Sequence, residues 1–240
     1  MWTTVKVNCN EELILHKIND VEIQLLKLNT LNKAKILLDD STIIINADSL
    51  SYVKGNIENQ HEKENSSINI LKDMLLGAKK KINSEEKLLL TGCGEVNLEY
   101  VEQALAVIEL IDEEVIVWND MFYCCEAGIE LSEFNEKVIV KEEDVLEEKE
   151  MVKLTGSGLV ILKLPTLKDE NVIRTKIFKD KIIFKNNCAI LRSNKIKLNI
   201  ENWGVSKVNS YTGTGEVWHI PIKEIYLDEN LEEEDENDLE

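Results

Sequence analysis

The stretch Leu90-Thr91-Gly92-Cys93-Gly94-Glu95-Val96 decides the fold of this chain, because the same pattern returns twice. The further copies are Leu154-Thr155-Gly156-Ser157-Gly158-Leu159-Val160 and Tyr211-Thr212-Gly213-Thr214-Gly215-Glu216-Val217. In every copy an apolar or aromatic residue precedes Thr-Gly-x-Gly, and a valine closes the pattern. Repetition of this kind indicates one structural unit that is used several times.

Each copy has the side-chain pattern of a β-strand, in which successive side chains point to opposite faces. The two glycines of a copy then lie on the same face, between apolar residues. Glycine inside a strand usually marks a bulge or the close approach of another backbone. We therefore predict a structural role, with a neighbouring segment packed against the gap, for six glycines: Gly92, Gly94, Gly156, Gly158, Gly213 and Gly215.

A second element recurs ahead of each glycine strand, in residues 42–58, 115–131 and 182–198. Each of these ranges contains two β-rich runs joined by a polar turn, a pattern typical of a β-hairpin. The sequence therefore predicts a hairpin followed by a glycine strand, three times over.

This pattern predicts an all-β protein whose residues 1–227 form a single domain of three β repeats, at about 1–100, 101–165 and 166–227. The first repeat holds an insertion, in which apolar residues at helical spacing predict one short amphipathic helix over residues 68–82. Residues 228–240 hold nine carboxylates and no Lys or Arg. Like charges repel and there is little to bury there, so we expect an acidic disordered tail.

Charge and cysteine content limit the classes of function and the cellular location. The formal net charge is −18, which argues against nucleic acid as a partner, since such affinity depends on Lys and Arg. Five cysteines without a CxxC spacing indicate free thiols. We see no signal peptide in the first residues and no apolar run long enough to span a membrane. We therefore expect a cytoplasmic protein.

Several stretches resemble the altered-inheritance-of-mitochondria family, number twenty-four, which also has bacterial members. The resemblance rests on residues 70–77, 87–96, 106–124 and 155–160, and it extends over roughly residues 20–225. It implies three fused units, each similar to a subunit of the trp RNA-binding attenuation protein (TRAP). Such TRAP-like units are double-layered, of double-stranded β-helix type, and stand around a pseudo-threefold axis. The family offers no agreed catalytic residues to transfer.

The candidate chemistry is weak at each place where it could occur. His16, His61 and His219 are scattered, so we expect no metal site, and we read His219 as a partly buried structural residue. Cys124 and Cys125 are adjacent, so we expect at most one of them in the core, as a small hydrophobe. The Thr-Gly-x-Gly segments lack the phosphate-binding patterns and precede no helix. We predict no catalytic residue and no cofactor.

Among functions, we expect a non-enzymatic scaffold or assembly module that binds a protein partner or itself. One alternative is a nucleic-acid-binding regulator, by analogy with the attenuation protein, although the charge opposes it. The other is a small-ligand-binding β-barrel, which requires a polar pocket.

Overall fold

The structure is a computed structural model that describes residues 3–8, 11–18, 20–60, 87–139, 146–166, 168, 171–184 and 189–220. The predicted helix over 68–82 and the predicted tail over 228–240 lie outside the described residues. Strands dominate the described part, in which the longest helical segments are two three-residue 3₁₀ turns, Ala47–Ser49 and Asn119–Met121. The expected all-β class is therefore confirmed.

The strands in chain order are β1 Thr3–Asn8, β2 Glu11–Ile18, β3 Val21–Leu28, β4 Leu31–Asn46, β5 Leu50–Asn59, β6 Lys87–Leu98, β7 Leu105–Trp118, β8 Phe122–Glu126, β9 Ile129–Ile139, β10 Leu146–Lys163, β11 Ile173–Phe184, β12 Leu191–Ser193, β13 Lys197–Trp203 and β14 Ser206–His219. They form one antiparallel sheet. Its main path runs β1-β2-β3-β4-β8-β10-β7-β12-β14-β11, with β6 on β4, β5 on β6, β9 on β10 and β13 on β14.

Alternating burial along these strands reflects the period of two that a half-buried strand requires. In β4, Ala34, Ile36 and Leu38 are buried, while the residues between them are partly exposed. β-branched residues favour such pleated, half-buried surfaces, which explains the richness of these runs in Ile and Val.

The three Thr-Gly-x-Gly segments form the middle of β6, β10 and β14, and each of these glycine strands lies between two partners. β6 pairs with β4 and β5, β10 pairs with β7 and β9, and β14 pairs with β11 and β13. The hairpin prediction was therefore wrong in its pairing: the glycine strand does follow the two β-rich runs in the chain, but in the sheet it lies between strands of these runs, which do not pair with each other. We call β4–β6 unit 1, β7–β10 unit 2 and β11–β14 unit 3.

Successive units join through a short strand that belongs to the later unit. β8 of unit 2 pairs with β4 of unit 1, and β12 of unit 3 pairs with β7 of unit 2. Apolar clusters cross both joins: one contains Ile43, Tyr123 and Ile161, and the other contains Val117, Leu191 and Trp218. We call these joins junctions.

Polar contacts reinforce the junction between units 2 and 3. The buried Asn209 side chain accepts a hydrogen bond from the Ile139 N–H at 2.8 Å and donates one to the Ile139 carbonyl at 2.6 Å. Arg192 forms an ion pair with Glu136, with 2.6 Å between Nη2 and Oε1. Burial raises the pKa of the Glu136 carboxyl, and the neighbouring Arg192 acts in the opposite direction.

Candidate functional site

The six predicted glycines lie at one equivalent place in each unit, where the backbone leaves the ordinary strand conformation. Their φ angles run from +129° to +153°, which side chains other than glycine rarely adopt. In each unit the first glycine faces a backbone carbonyl of a segment packed on it. A methyl group on Gly92 would overlap the Asn56 carbonyl oxygen, one on Gly156 would overlap that of Gly128, and one on Gly213 would lie 2.5 Å from that of Lys195.

The second glycine of each pair also meets a neighbouring residue. A methyl group on Gly158 would lie 2.8 Å from the Glu126 carboxylate, and one on Gly215 would lie 2.5 Å from Cβ of Ser193. The packed segments are thus the β5 backbone in unit 1, and in the other units the ends of β8 and β12 with the turns that follow them. Each gap faces a neighbour within its own unit.

A β-bulge stands opposite each Thr-Gly-x-Gly segment, on the strand that pairs with it. Its central residue is Asp40 in β4, Asp112 in β7 and Lys179 in β11, with φ angles of 51°, 52° and 50°. The pairing register with the glycine strand shifts at each of these positions. One extra residue on one strand is the usual cause of such a shift and of the local bend.

The residue between the two glycines holds the bulge by a side-chain hydrogen bond. Its sulfur or oxygen accepts a hydrogen bond from the bulge N–H in every unit: Asp40 N–H to Cys93 Sγ at 3.1 Å, Asp112 N–H to Ser157 Oγ at 2.8 Å, and Lys179 N–H to Thr214 Oγ1 at 2.9 Å. The sequence contained a signal for this contact, because Cys, Ser and Thr are all short side chains that can accept a hydrogen bond. The motif therefore fixes the position of the bulge backbone.

Cys124 and Cys125 are both buried, with 2% and 1% of their surface exposed, so the expectation that only one enters the core was wrong. They point to opposite faces of β8, but each face is covered, Cys124 by the cluster of units 1 and 2 and Cys125 by the cluster of units 2 and 3. Burial raises the pKa of both thiols, and the Glu126 charge adds to the effect. Both are free thiols that pack as small hydrophobes.

His219 lies at the end of β14, buried as the sequence predicted. Its ring packs on Phe184 with 4.5 Å between ring centres, and its Nδ1 has no hydrogen-bond partner within the described part of the chain. Burial lowers the pKa of this imidazole, since the charged form is disfavoured away from water. This environment is that of a packed residue.

A cavity of about 620 Å³ lies between units 1 and 2. Its walls carry both charge signs, with Lys87, Lys149 and Lys163 among the cations and Asp48, Glu99 and Asp120 among the anions. Trp118, Met121, Tyr123, Leu164 and Pro165 supply apolar surface.

Packing fixes two groups of this wall. Lys87 Nζ lies 4.9 Å from the centre of the Phe122 ring and contacts the Asn46 side chain. Tyr123 donates its hydroxyl hydrogen to the Glu99 carbonyl at 2.7 Å, and burial raises the pKa of this phenol. Clefts of this volume are common in sites for small molecules.

The described ranges hold no group of three or more His, Cys, Asp or Glu side chains that could bind a metal ion. In the same ranges, no helix has both the length and the apolar character that a bilayer crossing demands.

Comparison with known proteins places the chain in a family. The family model described as Mitochondrial biogenesis AIM24 matches residues 26–221. The chain therefore belongs to this family, and the resemblance seen in the sequence is confirmed.

Among solved structures, the chain is similar to the crystal structure of a protein from Streptococcus pyogenes. The two share 10% sequence identity with a TM-score of 0.53, over 88% of this chain and 93% of the other. At that identity the likeness concerns the fold alone. Comparison with curated proteins gives no match.

Proposed function

We propose that this chain is a non-enzymatic cytoplasmic assembly module, which binds a protein partner or its own copies by adding strands to its sheet. One observation carries the proposal: within the described residues, several strands pair with another strand on one side only, namely β1, β5, β9, β11 and β13. An unpaired strand edge presents N–H and C=O groups that can template pairing with another chain.

These edge strands also carry apolar side chains in water. Tyr52 and Val53 of β5 are 50% and 42% exposed, Phe178 of β11 is 76% exposed, and Trp203 of β13 is 64% exposed. Side chains of this size on an edge supply the burial that turns backbone pairing into a stable contact. Prolines, which block pairing, are absent from these five strands.

The arrangement of the strands in three TRAP-like units is part of the same proposal. We retain three TRAP-like units, since all three share the glycine strand, the bulge and its hydrogen bond. A pseudo-threefold arrangement would require a third junction, equivalent to β8 on β4 and β12 on β7. The described strands form no such third junction, so the pseudo-threefold closure expected from the resemblance is the alternative to the pairing between copies that is proposed below. The single domain over 1–227 stays a prediction.

Light scattering behind a sizing column tests the proposal, with absorbance at 260 and 280 nm recorded on the same peak. A mass above 27.5 kDa that rises with concentration, or a protein that co-purifies, supports it. A monomer at every concentration that retains no protein partner contradicts it. A raised absorbance ratio would instead favour the nucleic-acid-binding alternative.

The cavity between units 1 and 2 favours a second candidate, the binding of a small molecule. Its mixed lining of three lysines and three carboxylates suits a zwitterion, because each sign of charge finds a partner. Thermal unfolding in the presence of free amino acids tests this candidate. Stabilisation that Lys163→Ala removes, but Lys181→Ala outside the cavity keeps, would support it. Equal melting temperatures throughout would end it.

A further inference from the structure

The two junctions of the chain use the same strand register. In the first, Ile43, Ile44 and Ile45 of β4 pair with Glu126, Cys125 and Cys124 of β8. In the second, Val115, Ile116 and Val117 of β7 pair with Ser193, Arg192 and Leu191 of β12. A backbone hydrogen bond extends each ladder equivalently, from Ala127 N–H to the Thr42 carbonyl and from Asn194 N–H to the Glu114 carbonyl.

The glycine strands show which residues of unit 3 correspond to these triplets. Ile43 pairs with Leu90 and Val115 pairs with Leu154, and both partners stand two residues before the first glycine. In unit 3 the residue in this place is Ile182, which pairs with Tyr211. The triplet 182–184, Ile-Ile-Phe, is therefore the equivalent of the apolar triplets 43–45 and 115–117.

The same comparison identifies the strand segment that unit 1 offers. Val160 pairs with Cys125 in unit 2, and Val217 pairs with Arg192 in unit 3. The corresponding Val96 of unit 1 pairs with Val53 of β5. Residues 52–54 of β5 are therefore the equivalent of the β8 and β12 residues that make the junctions.

Residues 52–54 and 182–184 are less buried than the junction residues to which they correspond. Cys124, Cys125, Leu191 and Arg192 are at most 4% exposed, because each junction covers them. In contrast, half of Tyr52 is exposed, and the triplet 182–184 is only partly buried. Among the described strands, β5 pairs with β6 alone and β11 pairs with β14 alone.

We propose that a second copy of this chain covers these two exposed segments. Residues 52–54 of one copy pair antiparallel with residues 182–184 of another, with Val53 opposite Ile183. The inference rests on the proposed assembly function and names its surface and its partner. The register is that of the two junctions inside the chain, so the contact continues an interface that the fold already makes twice.

A second copy fits these edges for two reasons. β5 and β11 stand at opposite ends of the pairing order β5-β6-β4-β8-β10-β7-β12-β14-β11, and the two edges are unlike, so each copy offers one of each. Contacts between unlike surfaces are heterologous, and they produce rings or open chains. β11 also carries Arg174, Lys176, Lys179 and Lys181 with one Asp180, and Lys181 pairs with Glu201 of β13. The remaining positive charge of this strand, in a chain of net charge −18, favours its approach to another copy.

Disulfide trapping between two differently tagged chains tests the register. One chain carries Val53→Cys and the other Ile183→Cys, both with Cys9, Cys93 and Cys188 replaced by Ser. Opposed residues of antiparallel strands have Cα atoms about 4.5–5.5 Å apart, which suits a disulfide. Thr175→Cys is the matched control, on the same strand about 26 Å away.

The proposal expects a mixed disulfide dimer in several-fold higher yield for the Val53–Ile183 combination than for the Val53–Thr175 control. A single chain with both Val53→Cys and Ile183→Cys that cross-links as a monomer would overturn it, because closure would then occur within one copy. Equal yields from both combinations also overturn it. If light scattering still shows assembly in that case, the proposed function stands and only this surface fails. A strict monomer without a partner removes both.

Discussion

The replacement Gly213→Ala probes the glycine motif most sharply. Gly213 has a φ of +144°, and an added methyl carbon would lie 2.5 Å from the Lys195 carbonyl oxygen and 3.1 Å from Cα of Ile196. Both contacts are with backbone atoms, so no side-chain rotation relieves them. The turn between β12 and β13, which contains Lys195, must shift, or the alanine must take another conformation.

The magnitude follows from two separate costs. A residue other than glycine in so sparsely populated a region costs about 1–3 kcal/mol. Forcing an extra carbon into a packed site costs about 1–3 kcal/mol more. We therefore expect Gly213→Ala to lower the free energy of unfolding by about 2–6 kcal/mol, a large share of the about 5–15 kcal/mol that domains possess.

Gly204→Ala is the matched control in the same unit. Gly204 has a φ of +68°, and an added methyl group would meet no atom within 4 Å. Only the left-handed conformation then carries a cost, about 1–2 kcal/mol.

Urea unfolding, followed by the fluorescence of the buried Trp118 and Trp218, compares the variants. With a urea slope of about 3 kcal/mol per molar, Gly213→Ala should lower the midpoint by about 0.7–2 M, and Gly204→Ala by about 0.3–0.7 M. Midpoints for the two variants that agree within error would refute the packing argument. If Gly213→Ala does not fold while Gly204→Ala does, the added methyl group at Gly213 costs more than the fold can lose.

Three further predictions concern single contacts. Ser157→Ala should lower the free energy of unfolding in urea by about 1 kcal/mol, since the Asp112 N–H loses its acceptor. Ser157→Thr introduces the residue type that unit 3 has in this place, Thr214, and should lower this free energy less. Equal losses for the two variants would contradict a shared hydrogen bond at the bulge. Asn209→Ala should lower the same free energy by about 2–4 kcal/mol, because the buried Ile139 N–H and carbonyl both lose their partner. A loss below about 0.5 kcal/mol would contradict a stabilising role for these two hydrogen bonds. The pKa of His219 is lowered by burial, so its contribution to stability is present above the ordinary pKa of about 6.5 and is lost as the pH falls below it. His219→Phe should therefore reduce the loss of melting temperature between pH 7 and pH 5, and an unchanged loss would contradict this.

The three glycine strands could be predicted from the sequence because each combines a rare residue pattern with the period of two. Pairing could not be predicted in the same way. Two β-rich runs joined by a turn look alike whether they pair with each other or stand on either side of a third strand. In unit 1 the third strand, β6, is also separated from the runs by residues 61–86, which hides the local signal.

The bulges were missed because Lys179 gives no signal of a positive φ, and Asp40 and Asp112, a residue type enriched there, do not stand out in a chain with 46 carboxylates. Alternation along β8 did predict that Cys124 and Cys125 point to opposite faces. It could not show that both faces are covered, because the cover comes from different units. The cavity escaped prediction for a related reason, since its wall combines residues from 46 to 165.

Hydrogen exchange at low and high protein concentration, read by mass spectrometry on wild-type protein, tests the assembly account most directly. Peptides that contain residues 52–54 and 182–184 should exchange more slowly at high concentration, because their amides enter a strand ladder between copies. A peptide around Thr175, farther along β11, should change little. Exchange at both segments that is independent of concentration, under conditions where the mass of the particle rises, would contradict assembly through these edges.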